Sequence, residues 1–191
     1  RICDQVTISI AYAKQNVKIV GTDPGVVAEL NGGTHMGVDD IGIMRGIPGM
    51  VIYEPVDNAQ FKQALPQIVD YEGPVYIRMV RKATPDVFTD PKYKFDLFRA
   101  DVLRQGSDVS VFCSGIEVQA ALEAADILRS QGIEADVINI HTIKPIDQEA
   151  VLASLRKTGC AVTCANHGKY NGPGSAIMAI AAENHPIPVF R

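Results

Sequence analysis

Short apolar runs alternate with longer runs of helical period along nearly the whole chain, and this alternation most narrows what it can fold into. The second half shows it cleanly. Residues 109–113, 135–140 and 160–165 read as buried strands. Residues 116–131 form an alanine- and leucine-rich amphipathic stretch stopped by Gly132. Pro145 sits at the start of a helix through Leu155, where its fixed φ is tolerated. Gly172-Pro173-Gly174 leads into a helix to about Glu183, and Val189 and Phe190 begin a last strand. Strands alternating with helices imply parallel sheets with right-handed crossovers.

The first half follows the same rule with more interruptions. Ile2, Val6, Ile10 and Ala13 predict a helix over 2–13. Residues 17–20 predict a buried strand and 38–44 a short helix ending near Gly46 and Pro48. Residues 50–53 predict a strand, and Asp57 caps a helix bearing Phe61, Leu65 and Ile68, which Pro66 should shorten or bend. Gly73-Pro74 turns the chain into a strand over 75–80. From 81 to about 100 the period is lost, with Pro85, Pro91, charges and aromatics mixed; this reads as a crossing linker partly ordered by Phe88, Tyr93, Phe95 and Phe98. The expected fold is α/β, with two domains, each a mostly parallel sheet with helices on both faces: 1–85, a linker at 86–100, and 101–191. The first helix starts without a cap and the chain ends directly after a strand, so a piece of a longer chain is expected.

Bulk properties remove several functional classes. A formal net charge of -4 argues against an electrostatic grip on nucleic acid or an anionic membrane. No apolar run approaches the roughly 20 residues that span a bilayer. The first residues lack a signal-peptide layout. The four cysteines form neither a disulfide framework nor a zinc spacing, so all four read as reduced thiols of a cytoplasmic protein.

The stretch Asn31-Gly32-Gly33-Thr34-His35 is the chemical focus. It lies in a long loop over 22–34 with Pro24 and Gly25, ahead of the short helix. Loops of that length in a compact domain are usually functional. A histidine titrates near neutrality, so His35 is the first candidate for proton transfer.

Several segments resemble the C-terminal half of transketolase, most closely the split transketolases whose C-terminal part is a separate subunit. They are Asp4-Gln5, Asn16-Val17-Lys18-Ile19-Val20-Gly21, Gly33-Thr34-His35, the run from Asp40-Ile41-Gly42 to Pro48-Gly49-Met50, Gly73-Pro74-Val75-Tyr76-Ile77-Arg78, and the run from Val137-Ile138-Asn139 to Pro145-Ile146-Asp147. The resemblance implies a pyrimidine-binding domain lacking its start, then the family's C-terminal domain. It implies thiamine diphosphate with Mg2+ or Ca2+, the metal and diphosphate being held by a separate diphosphate-binding subunit. It also implies a homodimer of this chain within a heterotetramer, and a sugar phosphate substrate of pentose phosphate type. The family glutamate that polarises the aminopyrimidine lies upstream of Arg1. The aromatic platform falls at or just before Arg1, leaving Ile2 as the nearest residue, so the chain alone should be inactive.

On the substrate side, His35 matches the family histidine that handles protons at the reacting carbon, and Arg81 matches the arginine that binds the sugar phosphate. A guanidinium forks onto such oxygens well, although Arg78 and Lys82 are neighbouring cations. Three positions depart from the family pattern. Asn31 stands for an aspartate that reads a sugar hydroxyl, keeping hydrogen bonding but losing charge. Asp23 stands for a phosphate-binding histidine, and Met36 for a glutamine. These imply an altered sugar: branched, non-phosphorylated or differently placed. The competing readings are a 1-deoxyxylulose 5-phosphate synthase-like enzyme and a non-catalytic assembly partner of the same fold.

Overall fold

A computed structural model describes residues 2–27 and 29–191. The elements run α1 (Cys3–Gln5), a π-helical segment (Val6–Tyr12), β1 (Lys18–Thr22), short 3-10 turns at Glu29–Asn31 and Gly33–His35, α2 (Asp40–Arg45), β2 (Val51–Tyr53), α3 (Asn58–Asp70) and β3 (Val75–Met79). There follow β4 (Asp101–Arg104), β5 (Val109–Cys113), α4 (Glu117–Ser130), β6 (Ala135–Asn139), β7 (Thr142–Lys144), α5 (Gln148–Thr158), β8 (Ala161–Cys164), α6 (Pro173–Asn184) and β9 (Val189–Phe190). No helix among the described residues is long and apolar enough to cross a membrane.

Two mostly parallel sheets result, in the orders β1-β3-β2-β7 and β4-β6-β5-β8-β9. The first is parallel except for β7, which pairs antiparallel with β2. The second is parallel except for β4, antiparallel to β6. Side chains alternate across each sheet with period two. In the first, Ile52, Tyr76 and Ile143 pack with Val6, Ile41 and Met44 on one face, while Val51, Tyr53, Val75 and Ile77 pack with Ala64 and Ile68 on the other. The second sheet buries Val111, Cys113 and Val137 against α4, and Phe112, Ile138 and Ile140 against α5 and α6.

The structure corrects three sequence expectations and adds two strands. The helix over 2–13 winds as α-helix only at Cys3–Gln5 and then as a π-helix, whose wider turn does not follow the 3.6-residue period that predicted it. Strand β1 is not buried: it pairs with β3 alone, and Val20 is exposed. Pro66 does not shorten α3, which continues to Asp70; it lies on the exposed side, where water can take the carbonyl left without a partner. Strands β4 and β7 were not legible because each is short and its pairing partner lies elsewhere in the chain.

The linker carries no regular structure over 80–100, yet Phe95 and Leu97 are buried. Side chains of α3 replace the missing ladder. Gln63 Nε2 donates to Tyr93 O at 3.1 Å and Gln67 Nε2 to Phe95 O at 2.7 Å, while Phe95 N and Leu97 N donate to Gln63 Oε1 and Gln67 Oε1. Asp57 caps α3 by accepting from Gln60 N at 2.8 Å, and its other oxygen accepts from Val87 N and Phe88 N.

Candidate active site

The loop between β1 and α2 is pinned at its base and open at its tip. At the base, Asp23 N donates to Met79 O at 3.0 Å and Gly25 N to Gly37 O at 2.7 Å, while Gly168 N donates to Val38 O at 2.6 Å. Asn166, between β8 and α6, clamps the loop from the other domain. Its Nδ2 donates to Pro24 O at 3.0 Å and its Oδ1 accepts from Val26 N at 2.9 Å. Gly25 has φ +65 and packs so closely that an added Cβ would lie 1.9 Å from Asn166 Oδ1, so no other residue fits there. At the tip, Asn31, Gly33, Thr34 and His35 are exposed and Leu30 is 93% exposed. His35 N donates to Gly32 O at 3.0 Å, and its Nδ1 lies 2.9 Å from Thr34 Oγ1, so the neighbouring hydroxyl orients the ring.

Asp23 and Arg81 meet at the base of this loop. Arg81 Nε forms an ion pair with Asp23 Oδ2, and Arg81 N donates to Asp23 Oδ1 at 3.0 Å. The Arg81 side chain is 69% exposed and that of Asp23 only 14%. The structure brings together these two predicted site residues. Among the described residues no hydrogen bond or ion pair joins His35, Asn31 or Ile2 to them. Ile2 stands at the N-cap of α1, 52% exposed. Among the described residues no group of three or more His, Cys, Asp or Glu could hold a metal.

Arg78, on β3, has a different role. It is fully buried. Its Nε donates to Asp40 Oδ2 at 2.8 Å and Nη2 to Asp40 Oδ1 at 3.1 Å; Nη1 pairs with Glu54 Oε1, and Nη2 also donates to Asn166 O at 2.7 Å. Tyr76 OH donates to Asp40 Oδ2 at 2.8 Å and Ser114 Oγ to Glu54 Oε2 at 2.6 Å. Burial alone would lower the Arg78 pKa; the Glu54 and Asp40 carboxylates more than reverse this and raise it. Burial, then Asp40, raises the Tyr76 hydroxyl. This cluster joins β3, α2, β2 and the second domain and holds the Asn166 segment that clamps the loop. The sequence offered a signal for it, an arginine inside an apolar strand, but not its partners.

A family model of the transketolase pyrimidine binding domain matches residues 1–86, and one of the transketolase C-terminal domain matches residues 99–191. The chain belongs to the transketolase family. It is 54% identical, over all of its own length and 59% of the relative's, to the 6-deoxy-6-sulfo-D-fructose transketolase subunit SqwH of Clostridium sp. (strain MSTE9). It is 37% identical, over 99% of its length and 60% of the relative's, to an apulose-4-phosphate transketolase subunit of Phocaeicola vulgatus. A solved structure described as a split gene transketolase, inactive beta4 tetramer, superposes with a TM-score of 0.90 at 38% identity, covering 98% of this chain and 60% of that one. This transketolase-family chain thus spans about three fifths of the length of these relatives.

Proposed function

We propose that this chain is the pyrimidine-side part of a split transketolase that transfers a two-carbon ketol unit from a ketose with an anionic end to an aldose. The observation that supports this best is the similarity to split transketolase subunits along the whole chain, 54% identical to one of them. The relatives act on a sulfonated sugar and on a sugar phosphate, so either end group is within reach of the site.

In this reading His35 exchanges a proton with the sugar oxygen at the reacting carbon, oriented by Thr34. Asn31 hydrogen-bonds a sugar hydroxyl. The Arg81 guanidinium binds the anionic end, with Asp23 beside it. Ile2 lies toward the pyrimidine. Thiamine diphosphate, with Mg2+ or Ca2+, supplies when bound the stabilisation of the two-carbon carbanion equivalent. The metal and diphosphate belong to a diphosphate-binding partner subunit. Two copies of this chain with two partners make the working heterotetramer. The unpaired cysteines suit a reducing cytoplasm.

The test is a thiamine diphosphate titration of the full-length protein, alone and mixed with its diphosphate-domain subunit, followed by a ketol-transfer assay. Binding and transfer only in the mixture is the expected result. No binding in the mixture would leave the fold serving as a non-catalytic assembly partner. Product formed only from pyruvate and glyceraldehyde 3-phosphate would move the assignment to a 1-deoxyxylulose 5-phosphate synthase-like enzyme.

A further inference from the structure

The geometry points to Asp23 as the residue that selects the charge of the sugar's anionic end, favouring a monoanionic sulfonate over a phosphate dianion. This rests on the ketol-transfer reading above and names the substrate class that reading leaves open.

The carboxylate is a fixed part of the site. Asp23 has φ +53, a left-handed conformation uncommon for a non-glycine residue. Its backbone is tied to Met79 O, and its Oδ1 accepts from Arg81 N. These bonds stop the side chain from swinging away when a ligand arrives. Its Oδ2 holds Arg81 Nε. Among the described residues the Arg81 Nη groups carry no hydrogen bond, so the outer end of the guanidinium remains open to an oxyanion.

The pair is formally neutral. Arg81 still offers directed N–H donors to tetrahedral oxygens, but the net attraction that would favour a second negative charge is gone. A phosphate monoester carries about -1.5 to -2 at pH 7, with a second ionisation near pH ~6. A sulfonate carries a single charge throughout the working range. Both present three acceptor oxygens, so the forked hydrogen bonding is available to either. The discrimination therefore lies in the extra charge of the phosphate facing a carboxylate a few ångströms away. At partly exposed distances of this kind the effect is on the order of tenfold in affinity. A histidine or a neutral side chain in place of Asp23 would remove it.

The experiment uses the assembled two-subunit enzyme with the full-length chain. The donors are 6-deoxy-6-sulfofructose and fructose 6-phosphate, with one common acceptor. Wild type is expected to favour the sulfonate in kcat/KM. Asp23→Asn and Asp23→His should shift that preference toward the phosphate by about tenfold, mostly through KM, and Asp23→Glu should restore it. Lowering the pH from 7.5 to 5.5 should lower the wild-type KM for the phosphate donor as it becomes a monoanion, without the same gain in Asp23→Asn. Equal use of both donors by wild type, or variants within twofold of its preference, would overturn the role of Asp23 while leaving ketol transfer standing. Failure of wild type to transfer from any sugar donor would overturn the underlying reading, and this assignment with it.

Discussion

Arg78 lies on β3 and Arg81 just past its end, three positions on, and the protein uses them in opposite ways. Arg78 is fully buried, with every guanidinium nitrogen engaged by Asp40, Glu54 or Asn166. Arg81 is mostly exposed and held at Nε by one carboxylate. A buried charge must be satisfied completely, and a satisfied guanidinium has nothing left for a ligand. An exposed one costs little to leave half engaged and can therefore bind. The end of β3 decides the difference: Arg78 lies on the strand, where it is enclosed, and Arg81 lies beyond the strand's end, in the open.

The largest expected effect comes from breaking the buried side. Arg78→Met leaves Asp40 and Glu54 without their counter-charge and should destabilise the protein by about 3–5 kcal/mol. A chemical denaturation midpoint measures this, and a midpoint within error of wild type would refute the anchoring role.

The second test concerns burial around the linker. Asp101 accepts from Asn139 Nδ2, Tyr93 OH and Gln60 Nε2, but burial dominates and pushes its pKa up to about 6 from 3.8. His141 donates Nε2–H to Arg99 O, and burial pushes its pKa down to about 4 from 6.5. Asp101 holds its proton more tightly when folded, so its contribution to stability falls as pH rises from about 4 to about 6. His141 holds its proton less tightly when folded, so its contribution falls as pH drops from about 6.5 to about 4. Each is worth about 3 kcal/mol, and over the shared window they oppose. Wild-type stability should therefore vary little there, whereas His141→Asn should become less stable as pH rises from 4 to 6. Denaturation midpoints at several pH values would show it, and parallel profiles would count against it.

Asn166→Ala sharpens the comparison by releasing the loop without touching either arginine side chain. Loss of both clamping bonds should cost about 1–3 kcal/mol and speed amide exchange at Val26. Unchanged exchange at Val26 would show that the clamp is not what holds the base. The smallest stability effect belongs to the exposed side: Arg81→Ala should change the denaturation midpoint by less than about 1 kcal/mol. Its KM for an anionic sugar should nevertheless rise about tenfold or more, and an unchanged KM would remove Arg81 from the site.

Much of this architecture was legible because local signals agreed with the fold. Gly132 follows the C-cap of α4, Asp57 caps α3, and strands β5, β6 and β8 of the second sheet fall within the apolar runs that announced them. The failures share one cause: they depend on distant partners. Nothing near Thr142 says that β7 will pair with β2, nor near Arg78 that Asp40 and Glu54 will enclose it. In the candidate site the residue types were readable, but the joining of Asp23 with Arg81 was not, since it needs β1 and β3 to pair side by side and so bring together two loops 58 residues apart in sequence.

Strand β7 has a further consequence. Ile143 fills the core beneath β2, and Lys144 Nζ donates to Ile47 O and to Arg45 O at 2.8 Å. The C-terminal half is thereby sewn into the N-terminal one. Severing the chain within the linker would strip the first sheet of an edge strand and open its interior, so neither piece would be self-sufficient. Denaturation should then proceed as one cooperative transition.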